Sequence, residues 1–167
     1  MIHILSEREM LQNLDRAALG PSACVSIGDP GSVTPTAVAD RFPELLRLEF
    51  YDIVEAESGR TAVPEISDLE KAIEFYKRNR KKELWVHSFH GFGRAPAIAL
   101  GFLFLGIGEE EKAGAELKRL CPKALPNKRI VLLYDLILGS DLKHKNYAIW
   151  IRRIQEMRRS IESVALP

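Results

Sequence analysis

Cysteine is scarce in this chain: Cys24 and Cys121 are the only two among 167 residues, and they lie far apart. That excludes a disulfide framework and any cysteine-rich metal motif, and it suits a reducing cytosol. Charge of one sign is lacking too, because 24 basic side chains face 23 acidic ones. There is no global electrostatic case for nucleic acid or a membrane as partner, so any anion site must be local. Long apolar runs are missing: the longest, Ala97 to Ile107, is too short to cross a bilayer. The opening "MIHILSEREM" has no basic segment followed by an apolar core and a cleavage site. Repeats, low-complexity tracts and domain linkers are likewise absent from the sequence. The expectation is one domain over residues 1–167, cytoplasmic and monomeric, with no metal and no cofactor.

What is present alternates between strand and helix patterns. "IHIL" reads as a strand, and Ser6 caps a helix running to about Asp15, with Glu9 completing a capping box. "ACVSIGD" (Ala23 to Asp29) is a second strand closed by the turn "DPGS", which makes Asp29 a turn residue. "RLEFYDIVE" (Arg47 to Glu55) is a third strand, followed by a loop with Ser58, Gly59 and Pro64. Leu69, Ile73 and Tyr76 recur at helical spacing between Ser67 and about Lys81, and "ELWVHS" then forms a short central strand. A helix from Arg94 is apolar on nearly every face and so belongs in the core. Further helices are expected near 109–120, 128–138 and 146–163. The pattern predicts an α/β fold with a mostly parallel central sheet flanked by helices.

Between the central strand and the buried helix lies "HSFHGFGR", residues 87–94. A strand ends at His87, Gly91 and Gly93 let backbone N–H groups turn inward, and a helix begins at Arg94. Turn amides and the positive end of a helix dipole favour a dianion, and a guanidinium can grip two of its oxygens. Pro96 fits the first helical turn, where its missing N–H costs nothing. The spacing is not that of a nucleotide P-loop, nor of the G-x-S-x-G nucleophile elbow.

The loop resembles the active-site loop of the cysteine-dependent protein-tyrosine and dual-specificity phosphatases: His-Cys, five residues, then Arg, with a central glycine. His87, Gly91 and Arg94 fall on that pattern, and Ser88 stands at the cysteine position. "GRAPAIALGFL" is similar to the phosphatases of regenerating liver. "LPNKRIVLLYDLIL" resembles the Pro-Asn helix that follows the loop in dual-specificity phosphatases, and the wider arrangement is similar to a bacterial group of predicted tyrosine phosphatases. The likeness spans roughly residues 20–140.

The resemblance implies a protein-tyrosine-phosphatase-like fold and hydrolysis of phosphate monoesters, in phosphorylated proteins or small esters, through a phosphocysteine. It places Ser88 at the nucleophile, Arg94 on the phosphate, and Asp52, 36 residues before Ser88, as general acid. Glu55 and Glu57 are fallback acids. Phe89, His90, Gly91, Phe92 and Gly93 would line the bound phosphate, His87 would orient the loop, and Asn127 would brace it. Ala95 departs from the family's Ser or Thr, whose hydroxyl assists breakdown of the phosphocysteine.

Serine ionises far less readily than a thiol, so the chain as it stands should bind phosphate and turn over little. Ser88 is an engineered substitution, the mark of a natural phospho-binding pseudophosphatase, or an ordinary loop serine; the same atoms result. Other residues keep plainer alternatives: a salt-bridged surface arginine for Arg94, a hydrogen-bonded strand-end histidine for His87, a solvated carboxylate for Asp52, packing residues for Phe89 and Phe92. Rhodanese-type sulfur transfer is a rival chemistry, opposed by the Pro-Asn helix. The basic "KRNRKK" (Lys77 to Lys82) and the amphipathic tail near 146–163 are a solvated helix end and a covering helix, or else surfaces for anionic partners.

Overall fold

The computed structural model describes residues 1–17 and 20–140, so the expected last helix lies outside the described residues. The elements run β1 (Ile2–Ser6), α1 (Glu7–Gln12), α2 (Leu14–Ala17), β2 (Ser22–Gly28), α3 (Thr36–Arg41), β3 (Leu45–Glu49), α4 (Ile66–Asn79), β4 (Glu83–Ser88), α5 (Arg94–Ile107), α6 (Glu110–Leu120) and α7 (Lys128–Leu138). The four strands form one sheet in the order β1-β4-β2-β3, every pair parallel.

Burial explains that order. The inner strands β2 and β4 are buried along nearly their whole length, as a parallel strand covered on both faces requires. Alternation along β4 splits the core in two. Leu84 and Val86 face a large cluster with Ile98, Leu100 and Phe102 of α5 and Tyr134 of α7, while Trp85 faces a smaller one with Met10, Cys24, Val38 and Phe42. Helix α5 is buried through its first ten residues. Its Gly101 admits α7, for a Cβ there would collide with the ring of Tyr134, whose hydroxyl donates to Ile98 O at 3.4 Å.

Several boundaries differ from the sequence expectation. The Ser6–Glu9 capping box forms, but α1 stops at Gln12, where Asn13 turns its side-chain amide back onto Glu9 O (2.7 Å), and α2 follows. The third strand runs only from Leu45 to Glu49 rather than 47–55. At Phe50 the backbone leaves the sheet: its N–H still donates to Gly28 O (3.1 Å), but its carbonyl accepts from Arg94. Helix α3 carries no marked apolar period and is absent from the sequence reading.

All four strands point their carboxyl ends the same way. Ser6 pairs with Ser88 in register, and Gly28 ends β2 alongside. The loop 89–93 therefore opens at the carboxyl edge of the sheet, where parallel α/β folds place ligands.

Candidate active site at the carboxyl edge of the sheet

The loop is held in shape from several sides. Gly91 has φ +74°, and a Cβ there would collide with Ser6 N and lie 2.7 Å from Leu5 C, so only glycine fits. Glu7 N donates to Phe89 O (3.4 Å), Cys121 Sγ to Gly91 O (3.7 Å), Leu125 N to Phe92 O (2.7 Å) and Asn127 N to Gly93 O (3.2 Å). These bonds engage the carbonyls of Phe89, Gly91, Phe92 and Gly93. Gly93 has an ordinary negative φ; there the requirement is space, because a Cβ would collide with Asp52 Oδ2.

Ser88 is buried at the end of β4, and its Oγ accepts from Ala95 N at 3.4 Å. Arg94, only 5% exposed, is not the surface arginine of the plainer reading. Its Nη1 donates to Asp29 Oδ1 and to Phe50 O, both at 2.7 Å. Its Nε is buried with no protein acceptor. A guanidinium pinned on one edge with a donor left over on another is arranged to take an anion.

Asp29 is the residue that sequence reasoning undervalued. It is a turn residue, since its carbonyl accepts from Ser32 N (2.9 Å), and its carboxylate also anchors Arg94. Arg47 fixes the turn in its place, donating from Nη2 to Ser32 O (2.9 Å) and from Nη1 to Ser26 Oγ (2.8 Å). Gly28 makes room, as a Cβ there would collide with Arg47. A carboxylate 65 positions from its partner leaves no local signal in the sequence.

Asn127 joins three segments at once. As N-cap of α7 its Oδ1 accepts from Arg129 N (3.0 Å) and Ile130 N (3.2 Å). Its Nδ2 donates to Asp52 Oδ1 (2.8 Å) and Ile53 O (3.3 Å), and its backbone N–H reaches the loop. Arg129, also unforeseen, ties Pro64 O (2.7 Å) and Val54 O (3.3 Å) to the same helix start. Asp52 is thereby held against Gly93 at the loop while remaining exposed to solvent. Glu55 and Glu57 lie exposed farther along, Glu57 in a tight turn with Arg60.

His87 is buried beneath the loop, and neither ring nitrogen has a partner, so it is not the hydrogen-bonded histidine of the plainer reading. Burial, with a smaller push from the charge of Arg47, lowers its pKa to about 4, so it is neutral at pH 7. Phe89 and Phe92 are 62% and 39% exposed, which rules out core packing for either. His90 joins them in a small aromatic cluster, with ring centroids 4.7 Å from Phe89 and 5.3 Å from Phe92. Among the described residues no group of His, Cys, Asp and Glu is placed to hold a metal ion, and no helix is long and apolar enough to cross a membrane.

Neither the protein-family models nor the curated proteins yield a match to this chain. Solved structures do. Human DUSP28 is similar with a TM-score of 0.63 at 19% identity, over 83% of this chain and 90% of that one. PTPMT1 in complex with PI(5)P gives 0.61 at 13%, over 83% and 90%. Tk-PTP in its active form gives 0.58 at 18%, over 87% and 88%. At these identities the likeness speaks for architecture. The chain is built on the fold of the protein-tyrosine and dual-specificity phosphatases.

Proposed function

We propose that the loop 88–94 is a phosphate-monoester site of the protein-tyrosine and dual-specificity phosphatase type, which in the Ser88 form binds its ligand without hydrolysing it. The observation that supports this most is Arg94: buried, pinned through Nη1, with Nε unpaired, at the end of a loop whose carbonyls at Phe89, Gly91, Phe92 and Gly93 are already bonded. Phosphate oxygens would accept from Nε and from the inward backbone N–H groups of the loop, with the dipole of α5 behind them.

With cysteine at position 88 the chemistry completes itself. The thiolate attacks phosphorus and the ester oxygen leaves, taking the proton of the Asp52 carboxyl. Asp52, now a carboxylate, then removes a proton from water as that water attacks the phosphocysteine, giving inorganic phosphate and the thiolate again. Serine breaks the first step. The only hydrogen bond Ser88 Oγ makes among the described residues is the one it accepts from Ala95 N, so no base takes its proton. Ala95 also lacks the hydroxyl that would help the second step. The exposed Phe89 and Phe92 favour an aryl ester such as phosphotyrosine in a protein segment, since their rings offer apolar walls beside the anion.

Hydrolysis of para-nitrophenyl phosphate by the chain and by Ser88→Cys, with vanadate as competitor, tests the reading. Activity in the cysteine form alone, blocked by vanadate, is expected. Phosphate binding without activity in either form would leave a binding module whose loop cannot support the chemistry. Absence of both activity and binding would overturn the assignment of the loop.

A further inference from the structure

At the opposite end of the sheet a cavity of about 440 Å³ opens among His3, Arg16, Pro21, Lys81, Glu83 and Trp85. It lies at the amino ends of β1, β2 and β4, roughly 16 Å from Ser88 along β4. That volume is in the range of small-molecule pockets.

Its lining carries donors that the protein leaves unused. Trp85 is 2% exposed, yet its indole Nε1 is buried with no acceptor. His3 sits opposite Trp85 in the β1–β4 register and stacks on it, with centroids 4.2 Å apart and planes inclined by 23°. Arg16 and Lys81 are exposed at the rim, and neither has a carboxylate partner among the described residues; Arg16 has only a long contact, 3.4 Å, to Asn13 Oδ1. The titratable groups facing the cavity are His3, Arg16, Lys81, Glu83 and the amino terminus of Met1, and the one carboxylate among them lies 3.5 Å from His3 Nε2.

A buried N–H without an acceptor is costly, and two cations without a carboxylate partner line the same cavity and call for negative charge. We infer that this cavity is a second binding site, separate from the phosphate loop, for a small organic anion with a flat apolar body. Its carboxylate or phosphate oxygens would accept from the Trp85 indole and from Arg16 and Lys81. The body would lie against the exposed side of the His3–Trp85 stack.

The test follows the indole N–H resonance of Trp85, assigned with Trp150→Phe, during titration with benzoate and with phenyl phosphate; benzamide, flat but neutral, is the control. Each titration is repeated in Arg94→Met, which removes the phosphate loop as a competing site. A saturable shift with both anions, persisting in Arg94→Met and weakened about tenfold in the Arg16→Ala/Lys81→Ala double variant, is expected. Both rim residues are exposed, so the double variant should fold. No saturable shift with either anion, a shift lost with Arg94→Met, equal binding by the double variant, or equal binding of benzamide would each overturn the inference.

Discussion

The loop 88–94 and the segment 50–65 meet at the site, yet they are built by different means. The loop is shaped by what it cannot hold, namely a Cβ at Gly91 or Gly93, and by bonds to its carbonyls from two other stretches of chain, Glu7 and the segment 121–127. The segment bearing Asp52 lies mostly at the surface and is pinned at a few points: Tyr51 N to Ala62 O (2.9 Å), the side chains of Asn127 and Arg129, and the tight turn at Glu57. On the proposed reading, anion binding would be a property of the folded core, while delivery of a proton would depend on a tethered surface carboxylate. The two functions should fail separately.

The largest effect should come from Gly91→Ala. A positive φ and a collision with the backbone of Ser6 act together, and neither can relax through a side-chain rotation. We expect about 3 kcal/mol or more of lost stability and no measurable phosphate binding; a urea midpoint near that of the parent would show the loop to be softer than argued. Arg94→Lys should follow, weakening phosphate binding by about 100-fold, because an ammonium cannot use the Asp29 and Phe50 anchors and still present a planar donor edge. Calorimetric titration with inorganic phosphate reads this directly.

Acidity probes the same core from below. His87 has a lower pKa in the folded chain than in the unfolded one, so between about pH 6.5 and its folded value of about 4 the unfolded state binds more protons. Stability is then constant above about pH 6.5 and falls as pH drops, by up to about 3 kcal/mol from this residue. His3 is lowered as well and adds to the same slope. Urea unfolding at pH 7.5 and 5.0 should show the loss, and His87→Phe should flatten it.

On the surface side the effects should be smaller and more selective. Asn127→Ala removes the N-cap and the tether together, costing about 2 kcal/mol of stability. In the Ser88→Cys form it should slow turnover more than it weakens phosphate binding. Asp52→Asn should leave stability and phosphate affinity nearly unchanged, within about 0.5 kcal/mol, as is usual for an exposed side chain. In the Ser88→Cys form the same change should cut turnover of phosphotyrosine by about 100-fold but that of para-nitrophenyl phosphate far less, because only the poor leaving group needs the proton. Equal losses on the two substrates would take Asp52 out of the mechanism.

How much of this was legible in the sequence follows the same division. Strand, glycine turn and helix start lie within eight residues, so the loop at 87–94 could be read directly, and the capping box at Ser6 is equally local. The four parallel strands follow from apolar runs alternating with helical periods. The anchor at Asp29 could not be read, since a turn carboxylate looks the same whether or not an arginine stands across from it. Nor could the end of β3 at Glu49: "FYDIV" has strand-like composition, and the partners that hold it off the sheet, Arg94 on Phe50 O and Asn127 on Asp52 and Ile53, are distant in sequence. Arg129 was hidden likewise, its partners Pro64 and Val54 lying 65 and 75 positions away.

The pins of the site also order events in time. Arg94 meets Asp29 across 65 positions, Asn127 meets Asp52 across 75, and Lys123 meets Glu9 across 114. Contacts of such long sequence separation form late, after the local helices, because each must first close a large loop. On a growing chain the cradle stays incomplete until the segment 121–127 has emerged and docked on β1 and its neighbours. Phosphate binding during refolding would then mark the last step of assembly, and a truncation before Asn127 should yield helices without a site.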